Sequence, residues 1–361
     1  MKQAGLTPEE PIRPRFLRAC HGQPVDRTPI WLMRQAGRYM AEYRALRSKH
    51  ALLDMIKQPD LAAEVTLQPV NAFGVDAAII FADILPLLES LGLPLRFESG
   101  RGPIIDRPLR QTTTITSLSR QPAAEALPYT LEAIRIARNA LPPDIPLIGF
   151  SGAPFTLACY AIEGGTSKEY ENARRLMFED PAAWNRLMDL LADAVFDYLH
   201  EQRKAGAQAL QIFDSWAGLL SPDRYREVAL PWTSSIIRRL KDTEDPLHPV
   251  PIIHFATGNP LLLPALREAG PDVVGIDWKI SIHDALTLLG PGIAFQGNLD
   301  PVSLLAPPHV FLREAKAILD HVAGRPGHIF NLGHGVLKHT PEHHVKELVD
   351  FVQSHLLPPV A

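Results

Sequence analysis

Short, almost wholly apolar runs recur along the chain, separated by longer stretches with helical spacing. There are eight: 29–33 (PIWLM), 75–81 (VDAAIIF), 145–150 (IPLIGF), 207–213 (AQALQIF), 250–255 (VPIIHF), 272–276 (DVVGI), 292–296 (GIAFQ) and 328–332 (HIFNL). The runs do not alternate apolar with polar, which is the pattern of strands buried on both faces. Between them lie helical patterns. The stretch 59–74 has Asp60 near its start and Gly74 where a C-terminal cap belongs, with Pro69 predicted to kink it. The stretch 181–206 carries apolar residues at helical spacing from Trp184 to Leu199 and ends at Gly206. Near the C-terminus Thr340, Pro341 and Glu342 predict a helix start, with threonine as N-cap and proline at the first helical position.

Eight buried strands alternating with helices predict an α/β fold: a single (β/α)8 TIM-type barrel, with its active-site cleft at the C-terminal ends of the strands. One domain is expected over 1–361, with 1–26 as an N-terminal extension. The segment from about 89 to 125 does not fit the alternation and reads as an excursion with short strands of its own.

Composition narrows the picture. With 361 residues and 46% apolar content the chain can bury a large core, and a formal net charge of -4 marks no general affinity for nucleic acid or an anionic membrane. Two cysteines, Cys20 and Cys159, are too few for a disulfide framework and agree with a reducing cytoplasm. The N-terminus has no apolar signal core, and no run approaches the roughly 18 apolar residues of a membrane span.

The residues after each run are polar. They are Arg34 and Arg38, Asp83, Tyr160 (within SGAPFTLACYAIEGG), Asp214 and Ser215, His254, Asp277, Asn298, and His334. Arg34, Arg38, Arg44 and Arg47 put four arginines into fourteen residues, a density that suits carboxylate or phosphate. Gly37 would allow close backbone approach. No Gly-rich phosphate loop follows any run, which argues against nucleotide binding. Each residue also has a plain structural reading: the arginines as a solvated pair, Asp83 as a helix N-cap, Tyr160 as a core tyrosine. Ser215 lacks a nucleophile elbow and reads as a hydrogen-bonding serine. His334 lies between two glycines, which expose it. His343 and His344 are expected to face solvent.

Taken together, PIWLMRQAGRYMAEYR, FADIL, GFSGAPFTLACYAIEGG, FDSWAG, GIDW, FQGNLDP and FNLGHGV resemble the uroporphyrinogen decarboxylase family over nearly the whole chain. The resemblance implies a (β/α)8 barrel and a substrate with eight carboxylates on a flexible tetrapyrrole. The four acetates would be converted to methyl groups, with no metal or organic cofactor. It implies a substrate-binding set of Arg34, Gln35, Ala36, Gly37, Arg38, Arg47, Asp83, Tyr160, Ser215 and His334. Asp83 would accept the pyrrole N–H groups, and Arg34, Tyr160 and His334 would join it at the reacting centre. Arg47 is sometimes cast as a proton source, but arginine's high pKa favours a carboxylate anchor. The family suggests a homodimer. Relatives with a similar barrel are zinc methyltransferases using a His-x-Cys pair and a later cysteine. Here that position reads His254-Phe255-Ala256, without the thiolate. A module that merely holds an anionic tetrapyrrole is a third possibility.

Overall fold

A computed structural model describes residues 13–98, 100–246, 248–322 and 325–355. Seven strands form one parallel sheet that curls on itself: β1 (Ala78–Ile79), β4 (Leu147–Gly152), β5 (Ala209–Asp214), β6 (Ile252–Ala256), β7 (Val273–Gly275), β8 (Ala294–Gln296) and β9 (His328–Ile329), in that order. The predicted excursion contains the antiparallel hairpin β2 (Leu95–Glu98) and β3 (Gly102–Ile105), with Leu95 opposite Ile105. Each central strand is covered on both faces; every residue of β4 and β6 is buried, as their unbroken apolar runs require.

Seven of the eight predicted runs give strands of this sheet, while 29–33 forms no strand ladder. Its reason is visible in the hydrogen bonds. Ile30 bridges Phe330, whose N–H donates to the Pro29 carbonyl at 2.8 Å, and on the other side the Asp76 N–H donates to the Ile30 carbonyl at 2.8 Å. The Trp31 N–H donates to the Phe330 carbonyl at 3.4 Å, and the other three N–H groups go to side chains. Ile30 N–H donates to Asp76 Oδ2 (2.9 Å), Leu32 N–H to Gln35 Oε1 (3.1 Å) and Met33 N–H to Asn331 Oδ1 (3.1 Å). The backbone is satisfied, as a buried run must be, without a regular ladder.

The sheet interior is mixed. Trp31 Nε1–H donates to Gln296 Oε1 at 2.9 Å, and Gln296 Nε2 donates to Gln211 Oε1 at 3.3 Å, so these buried amides are paired. Below them the helix Arg15–Cys20 buries Phe16, Ala19 and Cys20 against Trp31, Ile148, Ile253, Val273 and Ile329. That helix lies within the predicted extension and seals the N-terminal ends of the strands; residues 1–12 of the extension fall outside the described residues.

Helix signals hold with small changes. The helix Pro59–Phe73 ends at Gly74 in the left-handed region (φ 72°), and Pro69 sits inside it without ending it. The helix Pro181–Ala205 ends at Gly206 with φ 117°. The last helix runs Glu342–Ser354, so Pro341 rather than Thr340 is its N-cap, and the buried Thr340 hydroxyl has no partner. His343 is exposed, but His344 is not. It is 8% exposed, and its Nδ1 lies 2.8 Å from the Leu304 carbonyl, on the core side of the final helix.

Candidate functional site

RQAGRY is a loop, not a helix; the helix Ala41–Arg47 begins after it. Arg34 takes a left-handed backbone (φ 58°), which a side chain rarely adopts and which costs about 1–3 kcal/mol. Its side chain runs over Gly335: a Cβ there would lie 2.4 Å from Arg34 Cδ. The glycine after His334 is therefore needed to let Arg34 pass. Gly333, on the other flank of His334, lies so close to the Trp278 backbone that a Cβ would sit 2.2 Å from its nitrogen.

The arginine cluster divides. Arg34 and Arg38 are exposed at the strand ends. Arg44 turns back, donating from Nη1 to the carbonyls of Arg38 (3.1 Å) and Tyr39 (2.6 Å), so it fixes the loop. Arg47 donates to the carbonyl of His50, yet it and Arg38 also bear on the Tyr43 hydroxyl, whose ring packs edge-on to Phe81 at 5.7 Å. Gln35 is 1% exposed and its amide bonds Leu32 N–H and the Ala77 carbonyl, so its side chain shapes the loop rather than facing a ligand. Ala36 and Gly37 are half-buried. Gly37 has an ordinary backbone, and a Cβ there would meet its neighbours only at 3.4 Å or beyond. Its expected role in close approach is thus not imposed by the loop itself.

Asp83 lies one residue before Ile84, the N-cap of the 3-10 helix, rather than being the N-cap itself. Its Oδ1 accepts from Leu85 N–H at 2.9 Å, at the start of the 3-10 helix Leu85–Leu91, while part of the side chain stays open. Burial pushes its carboxyl above the ordinary range; the Leu85 N–H and then the Arg34 guanidinium pull the other way. Tyr160, on the helix Pro154–Glu163, is half-buried, and its ring meets Tyr170 and Trp216, each at 5.9 Å. Burial raises its phenol, with the Asp83 carboxylate adding to the rise and Arg34 opposing it. His334 is pushed down to about 4, first by burial and then by Arg34, so its imidazole is neutral at pH 7. Its ring packs edge-on to Trp278 at 5.7 Å, and Lys279 Nζ lies 5.6 Å from that indole. The Arg34 charge thus bears on Asp83, Tyr160 and His334 together.

Asp277, Asn298, His254 and Asp214 turn inward. Asp277 accepts from Gly258 N–H (2.7 Å) and Lys279 N–H (2.9 Å). Asn298 Nδ2 donates to the carbonyls of Asp277 (3.0 Å) and Ile280 (2.8 Å). His254 is fully buried, 3.5 Å from the Tyr225 hydroxyl, and burial holds it down at about 4. Asp214 accepts from Thr156 Oγ1 at 2.8 Å and is raised to about 6 by burial. Ser215 is half-buried, with its carbonyl accepting from Thr257 Oγ1 at 3.1 Å. Among the described residues no group of three or more His, Cys, Asp or Glu could hold a metal ion. The sequence reading did not single out Tyr170, Trp216, Trp278 or Lys279; DSW and DWK, tryptophans one or two residues after strand-end acids, were the available signal.

Comparison with known proteins bears on what these groups serve. The uroporphyrinogen decarboxylase (URO-D) family matches residues 12–355. A uroporphyrinogen decarboxylase of Chloroflexus aurantiacus is 55% identical over 97% of this chain and 98% of its own length, and that of Carboxydothermus hydrogenoformans is 49% identical over 94% and 95%. Among solved structures a methyltransferase from Methanosarcina mazei superposes with a TM-score of 0.73 at 21% identity, covering 94% of this chain and 97% of its own. A B12-independent methionine synthase from Shewanella superposes with a TM-score of 0.53 at 13% identity, over 82% and 87%. These likenesses extend to the fold alone. With the family matched from end to end of the described residues and relatives above half identity, the chain belongs to the uroporphyrinogen decarboxylase family.

Proposed function

We propose that this chain decarboxylates uroporphyrinogen III to coproporphyrinogen III, turning four acetate arms into methyl groups and releasing four CO2. The single feature that carries the reading is Arg34 acting on Asp83, Tyr160 and His334 at one mouth of the sheet.

The chemistry asks for an electron sink. A proton added to a pyrrole ring carbon makes the ring cationic. The acetate C–C bond then breaks, its electron pair enters the ring, and CO2 leaves. A second proton completes the methyl group, and the first is returned as the pyrrole is restored, so each turn consumes one proton. No external cofactor is needed for that sequence. Asp83 accepts the pyrrole N–H groups and offsets the ring's positive charge in the transition state. Arg34 and Arg38 bind the carboxylate arms, with Arg47 beside them. Tyr160, Ser215 and the neutral His334 hydrogen-bond the arms. Holding several arms fixes the reacting one beside Asp83, so one site serves each ring after reorientation. We further propose that the first run closes the curled sheet as an eighth strand, that 1–361 is one domain, and that the chain acts as a homodimer in the cytoplasm. No helix among the described residues is long and apolar enough to cross a membrane.

The burial of His254, the Phe255-Ala256 that follows it in place of a cysteine, and the lack among the described residues of three His, Cys, Asp or Glu grouped to hold a metal argue against zinc-dependent alkyl transfer. The test is an anaerobic assay with purified chain. Products with fewer carboxylates are expected, and unchanged uroporphyrinogen would overturn the reading.

A further inference from the structure

Ser215 follows the last residue of β5. In the parallel register Asp214 is opposite Ala256, so Ser215 and Thr257 are the next pair along. The turn that begins there is pinned at three successive residues, each time by a threonine hydroxyl. The Asp214 carboxylate accepts from Thr156 Oγ1 at 2.8 Å. The Ser215 carbonyl accepts from Thr257 Oγ1 at 3.1 Å. The Trp216 N–H donates to Thr156 Oγ1 at 3.2 Å.

The direction of these bonds follows from the groups. Asp214 is fully buried, and a carboxylate can only accept. The single Thr156 proton therefore goes to Asp214, and the Thr156 lone pairs are left for the Trp216 N–H. Thr156 is itself fully buried, on the helix Pro154–Glu163 and one turn before Tyr160. It thus ties the Tyr160 helix to the end of β5. Thr257 reaches Ser215 because the chain after Trp216 is pressed against it. A Cβ on Gly218 would lie 2.3 Å from the Thr257 carbonyl oxygen and 2.8 Å from Gly258 Cα, an approach that only glycine allows. The three bonds use atoms on either side of the Ser215 side chain, and its own hydroxyl bonds none of the described residues.

We propose that Thr156 and Thr257 are positioning residues that present the Ser215 hydroxyl to a carboxylate arm of the substrate, with Asp214 orienting the Thr156 hydroxyl for that task. A serine donates to a carboxylate over a narrow range of distance and angle, and the bond weakens steeply below about 120°. A turn free to rock would spend part of its time out of reach. Fixing it before the substrate arrives removes an ordering cost from binding. The inference rests on the proposed reading of Ser215 as an arm contact.

Thr156→Val and Thr257→Val each remove a hydroxyl and keep the branched shape, while Thr156→Ser keeps the hydroxyl. In the anaerobic assay Ser215→Ala is expected to raise KM about tenfold. Each valine variant is expected to raise KM roughly fivefold with kcat unchanged, and Thr156→Ser to stay within about twofold of wild type. In a Ser215→Ala background neither valine should raise KM by more than about twofold further. A general loosening of the fold would instead lower kcat and act equally in both backgrounds. Thr156→Val strips the buried Asp214 of its bond, so a thermal melt accompanies it. If it does not fold, Thr257→Val, at a half-buried site, decides the question by the same comparison. Valine variants with wild-type KM, or with effects undiminished in the Ser215→Ala background, would overturn the proposal. Ser215→Ala with wild-type KM would overturn Ser215 as an arm contact and the proposal with it, whereas a wild-type chain that leaves uroporphyrinogen unchanged would overturn the proposed function itself.

Discussion

Replacing Asp83 by Asn separates the charge of this residue from its shape. An Asn Oδ1 can keep the bond from Leu85 N–H, now 2.9 Å long, so the local fold has no reason to change. What disappears is the negative charge facing a ring that becomes cationic. At about 4 Å and an effective dielectric near 20, a unit charge pair is worth about 4 kcal/mol. The amide still accepts a hydrogen bond worth about 1 kcal/mol, and Arg34 nearby already offsets part of the carboxylate's field. A net loss of about 2–3 kcal/mol remains, concentrated in the transition state, or roughly a hundredfold in kcat with little change in KM. Stability should move the other way. Burial raises the Asp83 carboxyl, so folding favours its protonated form; that preference is present at low pH and lost as pH rises through the folded-state value. At pH 7 the ionised carboxylate therefore weighs against folding, and the amide should melt no earlier than the wild type. Anaerobic turnover, with product carboxylates separated by chromatography, and a thermal melt at pH 7 give both numbers. A variant retaining half of wild-type kcat, or losing kcat and substrate binding by one small common factor, would refute charge stabilisation by Asp83.

Arg38→Ala should raise KM about tenfold with a smaller change in kcat, and wild-type KM should rise with ionic strength; a KM indifferent to salt would count against carboxylate anchoring. Gly335→Ala should displace Arg34, whose Cδ would lie 2.4 Å from the new methyl, and lower kcat/KM, whereas Gly37→Ala, with its nearest atom at 3.4 Å, should keep a wild-type melting temperature. His254 and His328 are both held near 4 by burial and must be neutral to fold. Their contribution is complete above about pH 6.5 and is lost as pH falls towards 4, by up to about 3 kcal/mol each, so urea midpoints measured from pH 7 to 4 should fall and fall less in His254→Phe.

Much of this site was legible in the chain. The near-continuous apolar runs and the glycines at 74 and 206 sufficed for the strands and helix ends, because burial on both faces and left-handed caps leave direct marks on residue type. The arginines, Asp83, Tyr160 and His334 could be placed at strand ends because the order of elements dictates where each run stops. The sequence could not tell which polar residues turn outward. Asp277, Asn298 and His254 occupy the same kind of position as Asp83, and only the packing of neighbouring loops commits the first two to backbone groups and buries the third. Nor could it divide four arginines into two exposed ones, one bracing the loop and one bonded to the His50 carbonyl, since that depends on where the chain folds back. The first run is the clearest case: its composition specifies a buried strand, but Asp76, Gln35 and Asn331 satisfy it from distant or reversed segments. Local pattern determined what had to be buried and what could bond. The tertiary structure decided the partners, because hydrogen bonds and charge interactions act over a few ångströms between residues far apart in the chain.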